Sequence, residues 1–159
     1  MSDVINIEKV VEGYIMAALW ADCMCACGSG DCDCESGGRT HLKVRPSDER
    51  YITQLVEQFV KEHPSDCELY ILRHGDWNGQ TDSMGRSHYS ASECLGHDLR
   101  MTAGGHGVGF WDRGLGDLGD RLTKAVDLGT PYCRMGGGDV WEAADGYAAF
   151  DHYDLEVKV

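Results

Sequence analysis

Apolar side chains at Ile7, Val10, Val11, Tyr14, Ile15, Ala18 and Leu19 fall on one face of a helical spiral, so the spacing predicts an amphipathic helix over 7–20. Asn6 is its predicted N-cap, because a short side-chain amide oxygen can accept a free backbone N–H, and Glu8 puts negative charge in the first turn. A second helix is predicted from Ile52, Leu55, Val56, Phe59 and Val60. Ser47 is read as its cap, Asp48 and Glu49 lie in its first turn, and His63-Pro64 marks its exit.

Between these helices, over 21–45, the periodicity vanishes and five cysteines stand among glycine, serine and acidic residues, which predicts a long loop. Beyond the second helix, Leu69, Tyr70, Ile71 and Leu72 form an apolar run that fits a buried strand or a further helical turn equally well. The polar span to Ser92, anchored by Trp77, reads as a surface loop or hairpin.

Weak alternation through Leu99 and Met101 predicts a strand over 97–102, followed by a glycine-rich turn. A third helix is predicted from Asp112 to Leu128, with Leu115, Leu118, Leu122, Ala125 and Val126 on one face and Gly129 and Pro131 beyond its end. Gly116 and Gly119 would lie inside it, where glycine is unfavourable unless another backbone or a ligand comes close. A hairpin is predicted from Tyr132-Cys133-Arg134-Met135 through the glycines 136–138 to Val140 and Trp141, and 153–159 alternates as well. The expected fold class is α+β, a small antiparallel sheet packed with about three helices, and 1–159 reads as a single domain without internal repeats.

Composition supports a folded chain and narrows its partners. Of 159 residues 42% are hydrophobic and 26% charged, near the average for globular proteins. With 14 basic against 27 acidic residues the formal charge is -13, which repels nucleic-acid phosphates and anionic lipid, so neither nucleic acid nor membrane is an expected partner. The acids are scattered, as on a solvated surface, rather than massed as in an imitation of DNA. No apolar run is long enough to span a bilayer, and Met1-Ser2-Asp3 does not begin a signal peptide, which points to a reducing, cytoplasmic setting for the eight cysteines.

Two segments carry a family pattern: IMAALW over 15–20, and Gly96-His97-Asp98 followed by GGHGVGFWDRGLGDLGDRLTKA over 104–125. They resemble an uncharacterised family of small acidic proteins of tailed phages and prophages. Its members read ALW early, then GHD, then RNGHGAGFWDRGLGELGDRLT. The likeness covers about a quarter of the chain. It implies a viral setting, an α+β fold and residence in the host cell cytoplasm, and it implies no particular reaction. The chain departs from the pattern where Ala103-Gly104-Gly105-His106-Gly107 replaces RNGHG, and again in its cysteine cluster.

Two constellations could carry chemistry. Cys23, Cys25, Cys27, Cys32 and Cys34 offer soft thiolate ligands suited to zinc, but their C-x-C spacing differs from the paired spacing of zinc fingers and ribbons. The alternative is a loop of free or partly oxidised thiols. Cys94 with His97, Asp98 and His106 makes a weaker metal set, and Arg73-His74-Gly75 matches a phosphatase-like R-H-G only by coincidence. The second constellation is the glycine-rich segment, with Gly105, His106, Gly107, Gly109, Trp111, Asp112 and Arg113 as candidate ligand-binding residues. Glycines let a ligand approach the backbone, His106 can act as base or ligand, and Arg113 can hold a phosphate or carboxylate. The competing structural reading has Asp112 as a helix cap, Phe110 and Trp111 as core anchors, and Arg113 paired with an acid.

Three functions fit these features: an accessory protein that binds a host protein or a small signalling ligand, a small enzyme acting on a nucleotide or phosphorylated metabolite, and a virion assembly component. No complete catalytic set is visible, which places binding first.

Overall fold

The computed structural model describes residues 4–21, 43–79, 85, 88–127, 130–133, 140–143 and 145–150. Its elements run α1 (Ile7–Ala21), β1 (Lys43–Val44), α2 (Pro46–Glu62), α3 (Pro64–His74), β2 (Trp77–Asn78), β3 (His88–Tyr89), α4 (Ala91–Ala103), a 3-10 turn (Phe110–Asp112), α5 (Asp117–Ala125), β4 (Val140–Glu142) and β5 (Tyr147–Phe150). The fold is α+β, with helices dominant. Its three-stranded sheet is mixed rather than antiparallel: β5 lies in the centre, antiparallel to β4 and parallel to β1. A separate two-stranded hairpin pairs Trp77 with Tyr89.

The first helix forms where the apolar stripe predicts it, and the Asn6 side chain accepts the Lys9 N–H at 3.1 Å as a cap. For α2 the stripe is right and the cap is not. Arg45 occupies the N-cap position without a side-chain bond, and Pro46 opens the helix, so Ser47 already lies in the first turn. Proline has no N–H to satisfy at that position and its fixed φ suits the helix start. Asp48, also in that turn, is buried and accepts the Phe150 N–H at 3.3 Å, tying α2 to the central strand. The run over 69–72 resolves as helix, again entered through a proline. The span after it forms the hairpin alternative.

The largest departure from the sequence pattern is α4. The predicted strand over 97–102 is the second half of a 13-residue helix. A capping box starts it: the Ser90 hydroxyl accepts the Glu93 N–H at 3.2 Å, and the Glu93 carboxylate accepts the Ser90 N–H at 2.9 Å. Asp76 adds a bond from the Ala91 N–H at 2.8 Å. The helix is buried along most of its length, including Ser92, Glu93, Asp98 and Arg100, so it shows no amphipathic stripe. It packs on α1 at backbone contact distance. A Cβ on Gly96 would overlap the Val10 carbonyl, and one on Gly13 would overlap the Glu93 carbonyl. Two glycines on facing helices thereby let the axes approach more closely than side chains permit.

The third predicted helix is shorter than its pattern. A 3-10 turn and a bend fill 110–116, and α5 begins at Asp117 because Gly116 adopts φ +56, which a right-handed helix does not allow. Gly119 does lie within α5, and a Cβ there would meet the Phe110 carbonyl at 2.6 Å, so the expected close approach is to backbone. Tyr132 lies in a turn and β4 pairs with β5, while 134–139 of the predicted hairpin lie outside the described residues. The alternating segment 153–159, the glycines 136–138 and Cys23, Cys25, Cys27, Cys32 and Cys34 lie outside the described residues. One apolar cluster joins the helices and the sheet, with Phe59, Tyr70, Leu95, Leu99, Phe110 and Leu122 among its buried members.

Candidate functional site

The candidate segment leaves the C-terminus of α4, crosses a bend and enters α5. Two side-chain contacts clamp it to α4. The first is from Thr102, whose Oγ1 accepts the Phe110 N–H at 3.1 Å and lies where a Cβ on Gly109 would sit. Phe110 is fully buried, edge-on to Tyr70 at 5.5 Å and stacked on Phe59 at 6.4 Å between ring centres. Asp112 closes the 3-10 turn, its Oδ1 accepting the Gly109 N–H at 2.9 Å. The expectation that Asp112 caps the third helix is therefore corrected, since its partner belongs to its own turn.

The second clamp is an ion pair. Arg113 donates from Nε to Asp98 Oδ2 at 2.8 Å and from Nη2 to Asp98 Oδ1 at 2.6 Å, a two-pronged arrangement that fixes both planes. Asp98 is 1% exposed and also accepts the Tyr70 hydroxyl at 2.6 Å. His97 Nδ1 approaches its Oδ1 at 3.4 Å. Burial pushes the Asp98 carboxyl up, but bonds from His97, Arg113 and Tyr70 together with the Arg113 charge outweigh it and hold the group at about 2. The bond to Asp98 raises Arg113 above its ordinary value despite partial burial. Burial, followed by the Asp98 charge, raises the Tyr70 hydroxyl. The pair is ionised and the phenol is neutral across the ordinary pH range.

Each candidate residue then has a place. Gly105 turns the chain out of α4 at φ +69, and the His106 N–H donates to the Met101 carbonyl at 3.1 Å with its ring half-buried beside Gly104. Gly107 has open space around it. Gly109 packs on Thr102. Trp111 is 53% exposed, so of the two aromatic residues expected to anchor the turn in the core, Phe110 does so and Trp111 does not. Arg113 pairs with an acid, as its structural reading anticipates, and both prongs of its fork face Asp98.

The sequence points to the bend but not to the residues that hold it. Tyr70 reads only as part of an apolar run, and Thr102 reads as the end of a strand. The Ser90-x-x-Glu93 capping box is the signal that would have placed Asp98, Thr102 and Cys94 on one helix. Cys94 and Cys67 are buried free thiols. Burial, aided by the Asp98 charge, pushes Cys94 up to about 11, and burial, aided by Asp66 and Glu68, pushes Cys67 up to about 12. Among the described residues no group of three or more His, Cys, Asp or Glu side chains is placed to hold a metal ion, and no helix is long and apolar enough to cross a membrane.

The architecture defines an α+β protein whose helices hold a Tyr70–Asp98–Arg113 network beneath a glycine bend, with Tyr70 and Asp98 buried and Arg113 half-buried. No family model, curated protein or solved structure matches the chain.

Proposed function

We propose that this chain is a phage-encoded accessory protein that acts in the host cytoplasm by binding, with Trp111 at the centre of the recognition surface. The observation that carries this reading is the division of labour within the bend. Arg113 and the Phe110 N–H are bonded to Asp98 and Thr102 of α4, and Asp112 closes its own turn on the Gly109 N–H, whereas Trp111 stands 53% exposed between Phe110 and Asp112. A large ring on a backbone fixed from both sides loses little conformational freedom on binding, and tryptophan is the residue type most enriched in binding hot spots. The viral setting comes from the GHD and GFWDRGLG-type pattern over 96–125. A host protein or a small host signalling ligand is the corresponding partner.

Affinity capture from bacterial extract with chemical crosslinking, on wild type and Trp111→Ala in parallel, tests the reading. The expected result is one stoichiometric protein or ligand retained by wild type and reduced at least tenfold by the substitution, the loss of about 1.4 kcal/mol or more that a hot-spot tryptophan gives. Equal retention by both proteins, or none by either, would overturn it.

A further inference from the structure

Resting on the reading of Trp111 as the recognition residue, we infer that the Tyr70–Asp98–Arg113 network is a positional latch: it sets the conformation of the bend that carries Trp111. The fold as a whole does not depend on it. The network joins three separate parts of the chain. Tyr70 lies on α3, Asp98 on α4, and Arg113 just beyond the 3-10 turn, two residues from Trp111. The glycines of the bend add little packing of their own. Gly107, Gly114 and Gly116 would meet nothing within 4 Å if they carried a Cβ, and Gly105, Gly114 and Gly116 take positive φ. Phe110 and the Thr102 bond fix the start of the turn, and the two-pronged Asp98–Arg113 pair ties its end to α4 before α5 begins.

The energetics separate position from stability. A buried ion pair gives back in attraction about what it loses in hydration, so replacing the whole network by apolar groups of similar volume costs little net stability. What an apolar replacement lacks is direction, because two parallel N–H donors on two carboxylate oxygens define one orientation of Arg113 and hence one path for 110–113. Asp98 and Arg113 are positioning residues in this account, acting on the partner through Trp111. The neighbouring Arg121–Asp66 pair, bidentate at 2.7 to 3.1 Å, holds α5 to α3, so α5 keeps its place when the latch is removed and the loosening is confined to the bend before it.

The test uses the triple variant Tyr70→Phe/Asp98→Leu/Arg113→Met, which removes the three members together and leaves only the part-exposed His97 ring without its Asp98 contact, beside Asp98→Asn, which strands Arg113. Hydrogen exchange is read by mass spectrometry on peptides covering 109–116 and on peptides from α1 and α4, with thermal unfolding alongside. In the triple variant, exchange over 109–116 is expected to rise about tenfold or more, with α1 and α4 protected as in wild type and the melting temperature nearly kept. Wild-type protection over 109–116 in that variant would overturn the latch, and so would loss of protection everywhere at once. Trp111→Ala leaves the network intact, so its exchange profile should match wild type. Full partner capture by Trp111→Ala, with the exchange result as expected, removes the recognition reading and leaves the latch standing.

Discussion

The carbonyl of Val10 on α1 occupies the place where a side chain on Gly96 of α4 would begin. The two backbones touch there, and the mirror-image contact of Gly13 with the Glu93 carbonyl makes the crossing a two-point fit. Since neither helix can shift without disturbing the other contact, Gly96→Ala is expected to destabilise the fold by about 3 kcal/mol, at the upper end of the overpacking range. Gly107→Ala, at a residue with open space and no left-handed φ, is the matched control and should change stability by no more than about 0.5 kcal/mol. Urea unfolding of the two variants against wild type measures both.

Asp98 gives the stability a defined acid limb. Its folded value of about 2 lies below the ordinary carboxylate value of 3.8, so the ionised form is favoured by folding. Its contribution is complete above pH 4 and is lost as pH falls through 2. The size follows from the shift, about 2 kcal/mol. Wild type should therefore lose stability between pH 4 and 2 more steeply than Asp98→Asn, and the gap between the two curves should narrow over that window. Urea midpoints taken at intervals from pH 2 to 5 read the difference directly, and parallel curves would contradict it.

How far the sequence discloses this molecule depends on which physical signal an element carries. The helices α1 and α2 bury one face and expose the other, so Val10, Tyr14, Leu55 and Phe59 announce them through period alone. The apolar run at Leu69–Leu72 carries no such contrast, because only Cys67 and Tyr70 of α3 are buried, and the pattern leaves helix and strand equal. The helix α4 is hidden for the opposite reason: with Glu93, Asp98 and Arg100 buried beside Leu95 and Leu99, polarity ceases to report which way a residue faces. Gly96 adds to the disguise, since a mid-helix glycine reads as a breaker until its close neighbour on α1 is known. The bend is legible from its glycines, whereas the inward direction of Arg113 depends on Asp98 and Tyr70 arriving from two other helices.

Thr102 tests the other clamp on the bend. Its hydroxyl is the acceptor for the Phe110 N–H, at the point where Gly109 passes too closely for any side chain. Thr102→Val keeps the volume and leaves that N–H without its partner, at a cost of about 1–3 kcal/mol. Thr102→Ser retains the oxygen and should recover most of the loss. Thermal unfolding of the pair separates the hydrogen bond from the packing of the methyl group, and loss in Thr102→Ser with none in Thr102→Val would assign the effect to the methyl.

Cys67 and Cys94 report on the core from within it. Only the thiolate reacts with an alkylating agent, and with Cys67 held at about 12 its thiolate is on the order of one part in ten thousand at pH 8, with Cys94 at about 11 some tenfold higher. Cys67 is also 0% exposed and Cys94 8%, so a reagent must wait for local opening before it can touch either sulfur. Iodoacetamide at pH 8 followed by peptide mapping should leave both unmodified while half-buried Cys133 is labelled, and full labelling of all three should appear only in denaturant. In Gly96→Ala, whose α1–α4 crossing is forced apart, Cys94 should become reactive ahead of Cys67, because Cys94 belongs to the displaced helix and Cys67 to α3. The reverse order would mean that the strain escapes through α3 and not through the glycine crossing.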